Sequence, residues 1–278
     1  MKKPTHSRRG FAARFGAVAA VSMGLLAGAF VAPASAAGSV NYVALGDSYS
    51  AGTGAGGESP PCGQSPNSYP NLVGASPGVD LTANLSCFGA TTDSVRLLQV
   101  RKIPARAQVV TLTVGGNDIG TGAVAVACTI GPQSPACQAA TADALFVKLP
   151  QLPMKLTAMF RAIKAKAPHA RIVVLGYPRL FEPANMAAAG ASTAQISAAR
   201  TMNTAADLLN ATIAGTSFLN AARFVSVTGA FAGHGIPSAD PWINFNIAGL
   251  SDPGNFHPTA EGQARGYAAS LLAAVPAL

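Results

Sequence analysis

The stretch Val43-Ala44-Leu45-Gly46-Asp47-Ser48-Tyr49-Ser50 decides the fold class of this chain. An apolar run that breaks at a glycine is typical of a buried strand entering a turn, and Ser48 lies in that turn. Open α/β sheets bind their ligands beyond the carboxyl ends of the strands. The stretch therefore predicts a strand that presents the Ser48 hydroxyl at a binding edge, where a nucleophile would be placed.

Outward from this stretch, predicted strands alternate with predicted helices. The strands are expected at residues 40–45, 79–85, 108–114, 171–175 and 223–227. The helices are expected at residues 69–75, 91–100, 141–166 with breaks at two prolines, 192–214 and 258–272. Such alternation, with strands that are almost continuously apolar, predicts an α/β fold of three layers, a central parallel sheet of about five strands between two layers of helices.

Residues 1–36 have the organisation of an export signal peptide. Basic residues open the chain, residues 16–32 carry no charge, and Ala34-Ser35-Ala36 offers a small-residue cleavage site. The segment Ser7-Arg8-Arg9-Gly10-Phe11 resembles a twin-arginine signal. The alternative, an uncleaved membrane anchor, needs a longer apolar run of about 20 residues. We therefore expect cleavage near Ala36, secretion, and a single mature domain at 37–278 without a membrane span.

Charge excludes one class of partner. The five charges of the predicted signal are all basic, so its removal lowers the formal net charge from +8 to +3. No basic cluster interleaved with aromatic residues remains, which argues against nucleic-acid binding.

We expect the mature protein to be a monomer.

The four cysteines, Cys62, Cys87, Cys128 and Cys137, all lie in the predicted exported part. An even number of cysteines in an oxidising compartment indicates disulfides, and three pairings are open. We favour the sequential pairing, Cys62 with Cys87 and Cys128 with Cys137, which closes two short loops. No Cys-x-x-Cys spacing is present, and the histidines lie far away in sequence, so a zinc site is not expected.

A serine nucleophile needs a base, and three histidines follow the signal. His257 stands immediately before a predicted helix late in the chain, where a loop at the carboxyl edge of the sheet would bring it to Ser48. His234 lies in a loop after the fifth strand and is a second candidate for the site. His169 precedes a strand and is expected at the surface.

Four short blocks together resemble one family. They are Gly46-Asp47-Ser48, the isolated Gly89 after Cys87, Gly115-Gly116-Asn117-Asp118, and His257-Pro258. In this order they are similar to the conserved blocks of the GDSL hydrolases, also called SGNH hydrolases. The resemblance is greatest to secreted bacterial lipases and esterases that carry disulfides, and it implies a flavodoxin-like fold.

The resemblance also implies a role for each block. Ser48 would attack an ester carbonyl, and His257 would act as general base and acid. The backbone N–H groups of Ser48 and Gly89 and the side-chain amide of Asn117 would form an oxyanion hole. No cofactor and no metal are implied, and the partner would be an ester or lipid substrate.

The chain departs from the family pattern beside the base. Many members place an aspartate three residues before the histidine, where this chain has Gly254. Two accounts remain open for what orients the ring. A backbone carbonyl of Gly254 or Asn255 would accept the imidazole N–H, which we favour, or Asp252 would reach across Pro253 to accept it.

The sequence thus predicts a secreted serine hydrolase of carboxylic esters. A carbohydrate O-deacetylase or a phospholipase on the same site, and a binding domain without catalysis, are the alternatives. Asp47 and Asp118 are expected to tie loops to backbone N–H groups rather than to react. Trp242, Phe245 and Phe256 belong either to an acyl pocket or to the core.

Overall fold

A computed structural model describes residues 39–276 of the chain and has a five-stranded sheet at its centre. All strand pairs are parallel. The strands are β1 (Val40–Gly46), β2 (Val79–Asn84), β3 (Val109–Thr113), β4 (Arg171–Leu175) and β5 (Arg223–Val225). They confirm the predicted strands to within two residues at each end. The predicted export signal, residues 1–36, lies outside the described residues.

The order of the strands, β2-β1-β3-β4-β5, determines where a site can form. The chain passes from β1 outward to β2, then returns across β1 to β3. The loops that follow β1 and β3 therefore lead to opposite sides, and a crevice opens between them at the carboxyl edge of the sheet. Gly46 pairs with Thr113, so β1 and β3 end side by side at this crevice.

Helices cover both faces of the sheet. They are α1 (Ser48–Ala51), α2 (Tyr69–Gly74), α3 (Thr92–Ser94), α4 (Gly116–Ile119), α5 (Thr121–Ile130), α6 (Pro135–Ala142), α7 (Leu152–Lys166), α8 (Pro183–Ala188), α9 (Thr193–Leu219) and α10 (Ala269–Ala274). Shorter π and 3₁₀ segments lie at Val95–Gln99, Val100–Lys102, Asp143–Lys148, Leu149–Gln151, Ile247–Gly249 and Gly262–Ala268.

Alternate residues of the strands enter two hydrophobic cores. Val43 and Leu45 of β1 belong to the core that contains the buried face of α7, including Phe160. Tyr42 and Ala44 point the other way, into the core that contains α2 and the last helical segments. The predicted three-layer α/β/α architecture is confirmed.

Several helices differ from their predicted extent. The predicted helix at 91–100 is divided between α3 and the segments Val95–Gln99 and Val100–Lys102. Helix α9 continues to Leu219 rather than ending at residue 214, because Ile213 and Ser217 are buried and hold its last turns in the protein. Helix α5, bounded by Gly120 and Gly131, was not predicted, since it is almost uniformly apolar and shows no helical alternation.

Two disulfides connect the loops in the sequential pairing. Cys62–Cys87 joins the loop after α1 to the loop after β2, and Cys128–Cys137 joins α5 to α6. The first bridge fixes a loop at the crevice, because Cys87 also donates its N–H to the carbonyl of Gly46. No helix in residues 39–276 is both long enough and apolar enough to cross a membrane.

Candidate active site

The turn after β1 places Ser48 at the first position of α1. Gly46 has a φ of +114°, and a Cβ there would lie 2.3 Å from the carbonyl oxygen of Thr113, so the sharp turn requires glycine. Asp47 then caps α1, accepting a hydrogen bond of 3.0 Å from the N–H of Tyr49. Ser48 is 5% exposed and lines a cavity at the crevice.

The ring of His257 bridges Ser48 and a backbone carbonyl. Its Nε2 lies 2.7 Å from Ser48 Oγ, and its Nδ1 lies 2.9 Å from the carbonyl oxygen of Asn255. A carbonyl oxygen only accepts hydrogen bonds, so Nδ1 carries the proton and Nε2 accepts the bond from the serine hydroxyl. This is the tautomer that a general base for Ser48 needs.

Hydrogen bonds connect the loop around His257 to two other segments. Phe256 has a φ of +63°, which is uncommon for a residue with a side chain. Its carbonyl oxygen accepts a hydrogen bond of 2.6 Å from the hydroxyl of Tyr49, and the carbonyl of His257 accepts one of 2.9 Å from the N–H of Asn244. The tyrosine that follows Ser48 thus connects the serine and histidine loops.

The two accounts of the His257 orientation differ in geometry. Asp252 accepts a hydrogen bond of 2.7 Å from the N–H of Gly254, and the carbonyl of Gly254 accepts one of 3.1 Å from the backbone N–H of His257. The ring has its Nδ1 on the carbonyl of Asn255, and within residues 39–276 no hydrogen bond joins it to the carboxylate of Asp252. The carboxylate of Asp252 shapes the loop instead.

Burial lowers the pKa of His257 to about 4, although hydrogen bonds to the carbonyls of Asn255 and Pro253 oppose the shift. In the part of the chain that the structure describes, no carboxylate is hydrogen-bonded to Nδ1 to stabilise the imidazolium. His257 is therefore neutral at neutral pH and able to accept a proton.

Two further loops bring hydrogen-bond donors to the crevice. Gly89 has a φ of +75° in the turn that the Cys62–Cys87 disulfide fixes. Asn117, on α4 after β3, donates one amide N–H to the carbonyl of Ala90 at 3.0 Å, which ties its side chain to the Gly89 turn. Among residues 39–276, the backbone N–H groups of Ser48 and Gly89 have no acceptor. They remain available to an oxyanion.

A buried network lies directly beneath the serine turn. Asp47 is 1% exposed, and its carboxylate accepts hydrogen bonds from the N–H of Tyr49, the hydroxyl of Thr113 at 2.6 Å and the hydroxyl of Tyr177. Burial raises its pKa to about 6, and these hydrogen bonds oppose the shift. Asp47 thus binds loop groups, as the sequence led us to expect.

The other residues singled out in the sequence lie around this site or away from it. Asp118 accepts hydrogen bonds from the N–H and hydroxyl of Thr92, so it too ties a loop. His234 stacks on buried Trp242, with ring centroids 3.8 Å apart, and neither lines the cavity at Ser48. His169 is exposed.

Three residues of this network, Tyr49, Thr113 and Tyr177, were not predicted from the sequence. One feature of the sequence could have indicated Tyr177. Strands β1 and β3 both end at a glycine, and β4 does the same at Leu175-Gly176-Tyr177. The Tyr177 hydroxyl also accepts a hydrogen bond of 3.1 Å from the N–H of Gly116.

The cavity at Ser48 has a volume of about 300 Å³ and contains Asn117 and His257 in its wall. Its apolar wall comes largely from α5 and α9 and from Phe256, with Val124, Ala125, Met202, Ala205 and Ala206 among its residues. The disulfide Cys128–Cys137 packs behind this wall, in a cluster with Val124 and Met202. The site therefore offers an apolar chamber beside a serine and a neutral histidine.

A second, open groove of about 770 Å³ adjoins the cavity, and Phe88 and Asn255 line both. Phe245 lines this groove rather than the cavity. Residues 39–276 contain no group of three or more histidine, cysteine or acidic side chains arranged to hold a metal ion.

The chain is similar in sequence to proteins of one family. The model of the GDSL-like Lipase/Acylhydrolase family matches residues 44–265. A lipase from Streptomyces rimosus is 37% identical over 230 residues, covering 82% of this chain and 84% of that protein.

Two crystal structures resemble the model over their whole length. An extracellular lipase from Streptomyces rimosus matches with a TM-score of 0.76 and 35% identity, covering 85% of this chain and 100% of that one. A phospholipase A1 from Streptomyces albidoflavus NA297 matches with a TM-score of 0.74 and 35% identity, covering 84% and 99%.

Proposed function

The chain belongs to the GDSL-like lipase/acylhydrolase family and is a carboxylic ester hydrolase, and from this premise we propose that Ser48 is its nucleophile and His257 its general base. The observation that carries the proposal is the contact of 2.7 Å between Ser48 Oγ and His257 Nε2, with the opposite ring nitrogen on a carbonyl oxygen. This contact supports the assignment of a nucleophile, a base and a group that orients the base.

The reaction proceeds through an acyl-enzyme. Ser48 Oγ attacks the ester carbonyl while His257 Nε2 takes its proton, and the imidazolium returns that proton to the leaving alcohol. Water then attacks the acyl-Ser48 ester with His257 again as base. The carbonyl of Asn255 keeps the Nδ1 proton in place throughout, so the ring works as part of a Ser–His pair without a carboxylate.

The tetrahedral intermediate requires donors for its oxyanion. The free N–H groups of Ser48 and Gly89 and the second amide N–H of Asn117 fill this role. A side-chain amide is neutral, so Asn117 stabilises the developing charge without attracting a substrate carboxylate to the site.

The cavity supports a medium-length acyl group. The cavity of about 300 Å³ has a largely apolar wall and offers more room than a two-carbon acyl group needs. An acetyl group would leave most of this chamber empty, which disfavours the O-deacetylase alternative. Lipase or esterase activity on medium-chain esters is therefore our main proposal.

Phospholipid hydrolysis is the second candidate. The likeness to a phospholipase A1 favours it, and so does the open groove beside the cavity, which is large enough for a polar alcohol portion. The rates of fatty-acid release from phosphatidylcholine vesicles and from tricaprylin emulsions show whether phospholipase or lipase activity is greater.

A series of p-nitrophenyl esters from acetate to palmitate tests the main proposal, with Ser48→Ala as the blank. We expect kcat/KM to reach its maximum near octanoate or decanoate. Ala206→Phe, which fills the chamber, should move the maximum to shorter chains. Ala211→Phe is the matched control, because Ala211 is exposed on the same helix and does not line the cavity. A maximum at acetate in the parent enzyme would refute the medium-chain assignment.

Export and monomeric state are part of the same proposal. The two disulfides and the similarity to an extracellular lipase support secretion after cleavage near Ala36. The amino-terminal sequence of the protein recovered from culture medium tests the cleavage position, and light scattering tests the monomer.

A further inference from the structure

Tyr177 occupies a position between two of the loops that form the proposed site. It follows β4 and is 7% exposed. Its hydroxyl donates to the carboxylate of Asp47, immediately before Ser48, and accepts a hydrogen bond of 3.1 Å from the N–H of Gly116, immediately before Asn117. A single phenol oxygen thus joins the nucleophile turn to the oxyanion turn.

We propose that Tyr177 is a positioning residue, whose hydroxyl sets the distance between the Ser48 turn and the Asn117 amide by bonding both Asp47 and Gly116. The proposal rests on the proposed function, because it concerns how that site holds its oxyanion donor. Tyr177 lines the cavity at Ser48, but its hydroxyl is bonded to Asp47 and Gly116.

The surroundings of Tyr177 support this role. Asp47 is fixed from three sides, since Thr113 and the N–H of Tyr49 also donate to it, so it gives the phenol a rigid anchor. The ring of Tyr177 packs edge-on against Tyr49, with centroids 5.1 Å apart. Burial and the neighbouring Asp47 raise the pKa of Tyr177, so the phenol keeps the proton that it donates.

Gly116, the second hydrogen-bond partner of the Tyr177 hydroxyl, has little free space beside it. A Cβ added at Gly116 would lie 3.3 Å from both Cζ and the hydroxyl oxygen of Tyr177, so the turn and the phenol are already in close contact. Gly116 also begins α4, the short helix that carries Asn117. A shift of Gly116 therefore moves the Asn117 amide relative to Ser48.

A double-mutant cycle with Asn117→Ala tests the proposal. In the parent background, Tyr177→Phe should lower kcat for p-nitrophenyl octanoate about tenfold, the scale expected for a donor displaced by a fraction of an ångström. KM should stay within twofold, because the lost hydroxyl bonds Asp47 and Gly116 rather than substrate. In the Asn117→Ala background, the same change should lower kcat by less than twofold.

Tyr42→Phe is the matched control for loss of a buried hydroxyl. Tyr42 is fully buried and its hydroxyl bonds Thr111 at 2.7 Å, without contact to Asp47 or Gly116. It should lower the thermal midpoint in the same way and leave kcat within twofold. An equal loss of kcat in Tyr42→Phe and Tyr177→Phe would overturn the proposal.

A second variant can be used to test the proposal if Tyr177→Phe does not fold. Gly116→Ala places a Cβ 3.3 Å from the Tyr177 hydroxyl and 3.2 Å from Thr121 Oγ1. This crowding displaces the turn that carries Asn117, and we expect the resulting loss of kcat also to vanish in the Asn117→Ala background. A tenfold loss that persists there for either variant would show that Tyr177 does not act through Asn117. Wild type and Ser48→Ala, assayed in parallel, report separately on the proposed function.

Discussion

Lowering the pH tests the environment of His257 in the unmodified enzyme. Burial holds the pKa of His257 near 4, and its Nδ1 bonds the carbonyl of Asn255 rather than a carboxylate. With that pKa, about nine-tenths of the enzyme keeps a neutral ring at pH 5, whereas an ordinary pKa of 6.5 would leave only about 3%. Protonation of His257 should therefore leave kcat/KM at pH 5 at no less than half of its value at pH 8, since kcat/KM reports the free enzyme. Asp47, with a pKa of about 6, protonates in the same range, so the profile is also recorded for Asp47→Asn, in which this second titration is absent.

The assay follows hydrolysis of p-nitrophenyl octanoate between pH 4 and pH 8, with the released p-nitrophenol separated by liquid chromatography. Circular dichroism at each pH, and recovery of full activity on return to pH 8, exclude acid unfolding as a cause of loss. An acidic limb centred at pH 6.5 or higher in folded enzyme would refute the reasoning. It would mean that a negative charge close to the ring stabilises the imidazolium of His257.

Three further predictions concern single side chains. Asn117→Ala should lower kcat by about two to three decades in the p-nitrophenyl ester assay, because a lost oxyanion donor costs about 2.7–4 kcal/mol, and a loss below threefold would remove Asn117 from the mechanism. Asp252→Asn should keep at least a tenth of wild-type activity, since its carboxylate bonds the N–H of Gly254 and not the ring; a thousandfold loss would make Asp252 part of a triad. Asp47→Asn should change how stability depends on pH. The raised pKa of Asp47 adds stability as pH falls from about 6 to 3.8, while the lowered pKa of His257 removes stability as pH falls from 6.5 to about 4. The two effects offset one another, so the free energy of unfolding from urea titrations should fall by about 2 kcal/mol more in Asp47→Asn than in wild type between pH 7 and pH 4. Parallel curves for the two proteins would contradict this last prediction.

The sheet was predictable because its strands are apolar and end at glycines. The apolar runs at 43–45, 109–114 and 172–175 are short and each is followed by a glycine, which favours buried strands. The turn at residue 46 requires glycine because a side chain there would collide with Thr113. The helices were harder to delimit. Helix α5 is apolar on all sides since it packs between α6 and the cavity, so it lacks the periodicity that marks a surface helix.

The residues of the site were visible in sequence, but their mutual geometry was not. The blocks around Ser48, Gly89, Asn117 and His257 could be identified, yet the choice between Asp252 and a carbonyl depends on a loop whose path is set by the positive φ of Phe256. The role of Tyr177 was equally hidden. Its partners Asp47 and Gly116 are 130 and 61 residues away, so only the folded sheet brings them together.

The central claim is that Ser48 is a nucleophile activated by His257, and covalent labelling tests it most directly. The mature protein is treated with an alkyl fluorophosphonate, and the adduct is located by peptide mass spectrometry. We predict one adduct per chain on Ser48, none in Ser48→Ala, and labelling slowed by at least a hundredfold in His257→Ala. An adduct on another residue, or folded protein that hydrolyses esters while Ser48 stays unlabelled, would contradict the account.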